Sequence, residues 1–339
     1  IAKHQEFLEG VMRVDLFGLK EGGGIEGELH APLRPIVPEL KPGETYLIEA
    51  IIRTVKMGHI FTQGTSDSNE VWMDVEVISG DRVLGRSGGY IDEHNEVDPW
   101  SHFVNSFVID RDGNRIDRRN AQDIFTPLYN HQIPPGAADA VHYSFTVPED
   151  VTEPVTVTVS LKYRKFDTQF MRFVEDDPEY VNDLPVTTLA EDSITFPIVG
   201  GAAVDNPDSL VPQWQRWNDY GIGLLRKGPR GELRGAEEAF LQVEALGRSE
   251  GPINLARVYL KEGRVTEDAP AALARASASE HSARQWHLLW FGGMVDKQNG
   301  NLDAAIDKFR QVTEGGFAQA KGRGFDFSKD YNFLNEFGS

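Results

Sequence analysis

The densest group of polar side chains that could do chemistry lies in residues 58–72, which read GHIFTQGTSDSNEVW. Its histidine, His59, follows a glycine at the end of a predicted strand, and a neutral imidazole there could bind a metal ion or a haem iron. In the alternative interpretation, His59 and Asp67 hydrogen-bond to backbone groups of a long loop, and Trp72 belongs to the hydrophobic core. For a histidine considered by itself we favour the loop role, because side chains that organise loops outnumber ligands.

Two acidic segments contain the oxygen donors that calcium prefers. Residues 92–98 read DEHNEVD, with His102 nearby, and residues 110–117 read DRDGNRID. The first spacing matches no calcium loop, and the second has its glycine at the fourth position instead of the sixth. We therefore interpret both segments as turns between strands.

Other catalytic arrangements find little support in the residues. The sequence contains neither an HExxH zinc pattern nor a phosphate-binding GxxxxGK[ST] loop. A metal-dependent enzyme would need His59, Asp67, His94 and His102 to converge in space. Residues 162–166, KYRKF, could hold a haem propionate or an acidic partner, but we interpret them as ion-pairing positions at the end of a strand.

Bulk composition excludes several classes of function. A formal net charge of −19 would repel a phosphate backbone, so we expect no nucleic-acid binding. The chain of 339 residues has no cysteine, which removes disulfides, thiolate metal sites and the CxxCH attachment of a c-type haem. No apolar run approaches the roughly 20 residues that cross a bilayer. The first residue is not methionine, so we expect that a signal peptide or a longer N-terminal region has been removed.

Hydrophobic periodicity predicts the elements that must position these residues. An apolar stripe from Phe7 to Phe17 predicts a short helix, and the proline-rich residues 32–42 predict an extended connector. Alternation with a period of two begins at residue 44 and favours an antiparallel, immunoglobulin-like β-sandwich. Its predicted strands begin at residue 44 and continue over 71–78, 82–87, 102–109, 140–147, 155–163 and 193–198.

After about residue 205 the strand pattern gives way to helical spacing. Small residues and aromatics recur in three degenerate units, as in a tetratricopeptide array with a repeat of about 34 residues. An aromatic tail over residues 325–337 either caps this array or needs further repeats to cover it. We predict a helix and connector over 1–43, a β-sandwich domain over 44–204 and an all-α repeat domain over 205–339.

Four segments together carry a resemblance to a known family. Residues 58–72, 97–102 (VDPWSH), 129–136 (YNHQIPPG) and 161–166 (LKYRKF) resemble the non-haem C-terminal region of bacterial multihaem c-type cytochromes that end in tetratricopeptide repeats. In that family a haem domain with repeated CxxCH motifs precedes the sandwich, and this chain has none. The resemblance therefore implies a position beside haems held elsewhere, with no haem bound covalently by this chain.

The resemblance also supplies the candidate site residues and partners. His59, His102 and His131 match motif histidines and could contact a neighbouring c-type haem or serve as distal ligands. The implied function is a non-catalytic accessory part of a periplasmic or extracellular electron-transfer system, which meets a cytochrome domain or subunit and binds a protein partner through its repeats. The alternatives are a general interaction scaffold without a redox role and the metal-dependent enzyme described above.

Overall fold

The computed structural model describes residues 2–62, 64, 67–227, 232–281, 283–322 and 324–339. The chain divides into two compact units, Ile1–Pro212 and Gln213–Ser339. The first unit is built mainly of antiparallel strands, and the second is a run of helices. The predicted change of structure type along the chain is confirmed at this level.

The first unit contains three antiparallel sheets among its described residues. Their orders are β2-β1-β3-β8, β10-β9-β4-β5 and β6-β7. The strands are β1 (Met12–Glu21), β2 (Leu29–His30), β3 (Thr45–Thr54), β4 (Glu70–Ser79), β5 (Arg82–Ser87), β6 (Ser106–Ile109), β7 (Thr126–Asn130), β8 (Ala138–Thr146), β9 (Val155–Arg164) and β10 (Val186–Phe196).

The two four-stranded sheets share one hydrophobic core. Ile48 and Ala50 of β3 and Val71 and Met73 of β4 are fully buried in it, at alternate positions along each strand. Alternate side chains of a strand point to the same face of a sheet, so this period of two produces one apolar face on each sheet. Each fully buried aliphatic side chain contributes about 1.5–3 kcal/mol relative to an exposed one.

The helix predicted for residues 7–17 is wrong over most of its length. Helix α1 covers only Ala2–Leu8, and β1 begins at Met12. The strand pairs with β3 along its length and with β2 at one end, and almost all of its side chains are buried. An apolar run that is buried on both faces also places hydrophobic residues at three- and four-residue steps, which is why the sequence pattern resembled a helix.

The proline-rich connector is attached to the sheets. Leu33 and Leu40 are fully buried, and the Leu40 amide donates to the Pro197 carbonyl at 2.8 Å. The Arg34 guanidinium pairs with Asp192 of β10. The segment avoids helix, as its prolines predict, but it is part of the packed unit.

The second unit contains six main helices in its described part. Neighbours along the chain pack together, and α3 also contacts α5, which contacts α7. They are α3 (Gln213–Arg226), α4 (Leu233–Ala245), α5 (Glu250–Glu262), α6 (Asp268–Ala278), α7 (Gln285–Gln298) and α8 (Leu302–Glu314). No helix in the described ranges is both long and apolar enough to cross a membrane.

Two helix pairs use the same close packing of glycine against phenylalanine. A Cβ added at Gly221 of α3 would lie 2.6 Å from the Phe240 ring of α4. A Cβ at Gly293 of α7 would lie 2.5 Å from the Phe309 ring of α8. The recurrence of this contact in the first and third helix pairs agrees with the spacing that the sequence showed.

The aromatic tail packs on the helices that precede it. It forms a short α9 (Ala318–Lys321), a 3₁₀ turn and α10 (Tyr331–Gly338). The Phe333 ring lies 4.0 Å from that of Trp290, and the Phe327 ring lies 6.1 Å from that of Trp286, both in α7. The tail therefore covers aromatic surface of α7, as the capping alternative predicted.

Candidate functional site

The four sequence-distant segments that carry the family resemblance meet in the first unit. The Phe61 and Ile133 backbones exchange two hydrogen bonds, of 2.9 and 2.6 Å, which join the first segment to the third. The Met73 amide donates to the His102 carbonyl at 3.0 Å, which brings the second segment to β4.

The fourth segment joins them through β9. Trp72 of β4 pairs with Lys162 in the β4–β9 register. Trp72 is 1 % exposed, and its indole donates to the Gly88 carbonyl at 3.0 Å, which confirms the core role considered for it. β4 therefore holds all four segments at one place.

Two of the three candidate histidines form part of a stack of rings. The His102 and His131 rings lie 4.7 Å apart with planes 16° from parallel. Tyr129 stacks on the other face of His131 at 4.5 Å, and Phe107 lies 5.4 Å beyond Tyr129. We call His102, His131, Tyr129 and Phe107 the ring stack.

A hydrogen bond orients His131, and a carboxylate lies beside His102. His131 Nδ1 lies 3.2 Å from the Phe103 carbonyl oxygen, and because a carbonyl only accepts, this nitrogen is the donor. Nε2 of a neutral His131 is then the unprotonated ring nitrogen. His102 Nε2 lies 3.4 Å from Asp139 Oδ2.

This geometry excludes chelation of one ion by both histidines. A metal lies in the plane of an imidazole ligand, and two nearly parallel rings 4.7 Å apart direct their lone pairs along lines that do not meet. The ring stack is suited to contact with an aromatic or macrocyclic surface.

His59 lies outside the ring stack. It is exposed, in a loop two residues before Phe61. Trp100, in the second segment, is 91 % exposed, and its amide donates to Asp98 Oδ1. Trp100 was noticed in the sequence only as part of a motif, and its exposure is a property of the fold.

Three of the four donors of the metal-enzyme alternative have separate partners, and the fourth, His59, is exposed. His94 contacts Glu179, while Asp67 accepts a bond of 2.9 Å from the Arg119 amide. His102 faces Asp139. No group of three or more histidine, aspartate or glutamate residues placed to hold a metal occurs in the described part of the chain.

The acidic segments form the predicted turns. Asp110 Oδ1 accepts from the amides of Asp112 and Asn114 at 2.9 and 2.8 Å. Asp92 Oδ1 accepts from the amides of His94 and Glu96 at 3.0 and 3.1 Å. Their carboxylates are therefore occupied in organising the backbone.

Residues 85–89, GRSGG, fit the GxSxG pattern of a nucleophile elbow, which the sequence reasoning missed. A nucleophile elbow is a sharp turn from a strand into a helix. Ser87 instead lies at the end of β5, paired with Val75 of β4 in an antiparallel sheet. Residues 85–89 therefore lack the turn from a strand into a helix that a nucleophile elbow requires.

A small cavity of about 110 Å³, lined by both polar and apolar residues, opens beside the ring stack. Phe107 and Tyr129 form part of its wall, together with Asn105, Arg115 and Asp167. The Arg115 guanidinium pairs with Asp167 at 2.9 Å and lies over the Phe107 ring. Burial raises the pKa of the Asp167 carboxyl, while Arg115 opposes that rise.

A buried ion pair lies behind the cavity. Arg164 Nε of β9 donates to Glu70 Oε2 at 2.7 Å, and the arginine is fully buried. Its other nitrogens donate to the backbone carbonyls of Asn95 and Asn182 at 2.8 and 3.2 Å. Together with the Lys162–Asp74 pair, this confirms the ion-pairing role predicted for residues 162–166.

Glu70 gives the first unit a pH-dependent stability. Burial raises its pKa to about 7 against the opposing effect of Arg164. The folded state therefore binds this proton more tightly than the unfolded state, and its contribution to stability is lost as pH rises from about 4.5 to 7, with a slope of at most about 1.4 kcal/mol per pH unit. Urea unfolding of wild type and Glu70→Gln between pH 5 and 8 measures the difference. Glu39→Gln, at an exposed position, should show the same dependence of the free energy of unfolding on pH as the wild type. If Glu70→Gln also shows that same dependence, the prediction is contradicted.

Comparison with known proteins gives little further identification. No family model matches the chain, and no curated protein matches it. Four solved chains do, among them a penta-heme cytochrome c552 from Thermochromatium tepidum, with a TM-score of 0.34 and 16 % identity over 56 % of this chain. This chain spans 41 % of the length of that cytochrome. The likeness is loosely compatible with a relation to multihaem cytochromes and is too slight to support an argument.

Proposed function

We propose that this chain is a non-catalytic accessory part of a multihaem cytochrome electron-transfer system in the periplasm or outside the cell. In this proposal the first unit is an immunoglobulin-like sandwich that packs beside a c-type haem domain or subunit through the ring stack. The second unit is a tetratricopeptide-like array that binds a protein partner. The haems belong to the neighbour, because this chain has no cysteine to attach one.

The observation that carries the proposal is the ring stack, built where the four family-like segments meet. Because the stacked rings cover one another's faces, the neighbour would meet the partly exposed edges of the stack, where aromatic carbon and hydrogen can make van der Waals contact with a porphyrin. Trp100, in the same segment as His102, adds an exposed aromatic of the kind that anchors interfaces. His59 remains a candidate distal ligand, since its exposed ring is free to approach a haem iron.

The haem content of the native protein tests this proposal. A tag on this chain should recover c-type haem in fixed stoichiometry from the native source, measured by the pyridine haemochrome spectrum. A colourless preparation would contradict the redox role and favour the general scaffold.

Hydrogen–deuterium exchange locates the contact. We expect residues 97–105 and 126–133 to exchange more slowly in the native assembly than in the isolated 339-residue chain, because the neighbour covers them. Residues 82–87 are the internal control and should exchange alike in both. Equal exchange of all three segments would show that the neighbour binds elsewhere.

Replacement of Trp100 measures the size of that contact. Trp100→Ala should weaken association with the haem-bearing neighbour by a factor of about 30, the effect of losing a hot-spot side chain worth roughly 2 kcal/mol. Ile36→Ala, which also removes an apolar side chain that is 84 % exposed, is the matched control and should leave affinity unchanged. If the two variants change the affinity equally, Trp100 does not lie in the interface.

A further inference from the structure

The cavity beside the ring stack contains a buried amide with an unused hydrogen-bonding atom. Asn105 forms part of the cavity wall and is 5 % exposed, and its Oδ1 has no hydrogen-bond partner among the described residues. Its backbone is held in place, because the Asn105 carbonyl accepts from the His131 amide at 2.8 Å. A buried acceptor without a donor costs free energy, so this oxygen indicates a ligand that carries an N–H or O–H group.

Glu70 offers a second unused acceptor in the same wall. Its residue is 6 % exposed, and the Nε and Nη2 atoms of Arg164 both contact Oε2, at 2.7 and 2.5 Å. No hydrogen bond to Oε1 occurs within the described ranges of the chain. Because Glu70 lines the cavity, its Oε1 is available to a molecule bound there.

Arg115 contributes spare donors to the cavity. Its Nη2 donates to Asp167 Oδ2 at 2.9 Å, and its guanidinium lies over the Phe107 ring, 5.1 Å from the ring centroid. A guanidinium has five N–H groups, so others remain for a ligand oxygen after the bond to Asp167 is made. The cavity wall therefore holds unused donors as well as the two unused acceptors.

Charge around the cavity is already balanced, which favours a neutral ligand. Each of the three carboxylates that line it forms an ion pair with one arginine. The pairs are Glu70–Arg164, Glu96–Arg172 and Asp167–Arg115, with closest contacts of 2.5, 2.9 and 2.9 Å. A bound anion would face these carboxylates, and a bound cation would leave an unpaired positive charge in a partly buried site. Both cost free energy.

We infer that this cavity binds a small neutral molecule that carries a primary carboxamide group. The two N–H groups of a carboxamide match the two unused acceptors, Asn105 Oδ1 and Glu70 Oε1, and its carbonyl oxygen can accept from Arg115. A hydroxyl group has a single donor and would satisfy only one of the acceptors. A cavity of about 110 Å³ has room for roughly four non-hydrogen atoms, since a water molecule occupies about 30 Å³ in the liquid.

Titration of the full 339-residue chain with acetamide, followed by saturation-transfer NMR at pH 8, tests the inference. At this pH most of Glu70 is ionised, because burial raises its pKa to about 7. We expect saturable binding with a Kd of roughly 1–10 mM, as is usual for a ligand of about four non-hydrogen atoms. Acetate and ethylammonium, which are charged ions of similar size, should bind at least about tenfold more weakly.

Asn105→Ala should weaken the binding of acetamide about fivefold, since it removes one hydrogen-bond acceptor. Asn120→Ala is the matched control and should leave the affinity unchanged. Asn120 Oδ1 is also buried without a partner among the described residues, but Asn120 does not line this cavity. N,N-dimethylacetamide has no N–H group and should bind to the wild type at least about tenfold more weakly than acetamide. This comparison requires no variant, so it tests the inference even if Asn105→Ala fails to fold.

Three results would overturn the inference. The first is equal affinity of the wild type for acetamide and N,N-dimethylacetamide, or an equal loss in Asn105→Ala and Asn120→Ala. The second is binding of acetate or ethylammonium as tight as that of acetamide, which would favour a charged ligand. The third is no saturable binding of acetamide up to about 100 mM, which would favour ordered water in the cavity. None of these measurements involves haem, so failure here is distinguishable from failure of the redox proposal.

Discussion

Replacing Arg164 by methionine should lower the free energy of unfolding of the first unit by about 3–5 kcal/mol, the usual cost of breaking a buried ion pair from one side. The substitution leaves the Glu70 carboxyl in the core without its partner and frees the backbone carbonyls of Asn95 and Asn182. Urea unfolding monitored by hydrogen exchange in residues 155–164 measures the first unit separately from the second.

Arg82→Met is the matched control for Arg164→Met. Arg82 also forms two bonds to a carboxylate, that of Asp150, at 2.9 and 2.8 Å, but both side chains are mostly exposed. An exposed ion pair contributes about 0–1 kcal/mol, so this variant should remain close to wild type. If the two variants lose similar amounts of unfolding free energy, burial is not the reason that the Arg164 pair stabilises the first unit.

The double variant Glu70→Gln, Arg164→Met separates the two contributions. If the cost of Arg164→Met comes from the stranded carboxyl, neutralising Glu70 should recover a part of the lost stability. If it comes from the freed carbonyls of Asn95 and Asn182, the double variant should be no more stable than Arg164→Met.

Gly293→Ala and Gly292→Ala, one residue apart in α7, should change stability in opposite directions. The Cβ at position 293 would lie 2.5 Å from the Phe309 ring, and overpacking of this kind costs about 1–3 kcal/mol. The Cβ at position 292 would lie 3.3 Å from the flexible Lys308 chain, which can move, so that variant gains about 1 kcal/mol of helix propensity. The expected separation is about 2–4 kcal/mol.

Thermal unfolding followed by circular dichroism at 222 nm compares the two glycine variants, because the second unit contributes most of the helix. Gly221→Ala should resemble Gly293→Ala, since its Cβ would lie 2.6 Å from the Phe240 ring. A Gly293→Ala protein as stable as Gly292→Ala would mean that the α7–α8 contact relaxes freely, and that glycine is not required for close approach of the helices.

The sequence alone determined the order of structure types and the lack of cysteines to attach a c-type haem. Alternation with a period of two identified β3, β4, β5, β8 and β9 closely, and along part of β4 and β9 buried residues do alternate with less buried ones. Helical spacing after about residue 205 identified the helix pairs, because small residues must recur where helices approach. The missing cysteines excluded CxxCH attachment without any structure.

Only the tertiary structure showed that Met12–Glu21 is a strand and not a helix, and which side chains surround the candidate site. β1 pairs with β2 and β3 at its edges, and its side chains are buried on both faces. Its apolar run therefore has no single period, and a helical pattern matched it equally well. The ring stack pairs His102 with His131 and Phe107 with Tyr129, each pair more than 20 positions apart along the chain, so local spacing carries no sign of it. The carboxylate partner of Arg164 is likewise a long-range fact: the residue types were visible in the sequence, while the folding of the backbone determined which side chains meet.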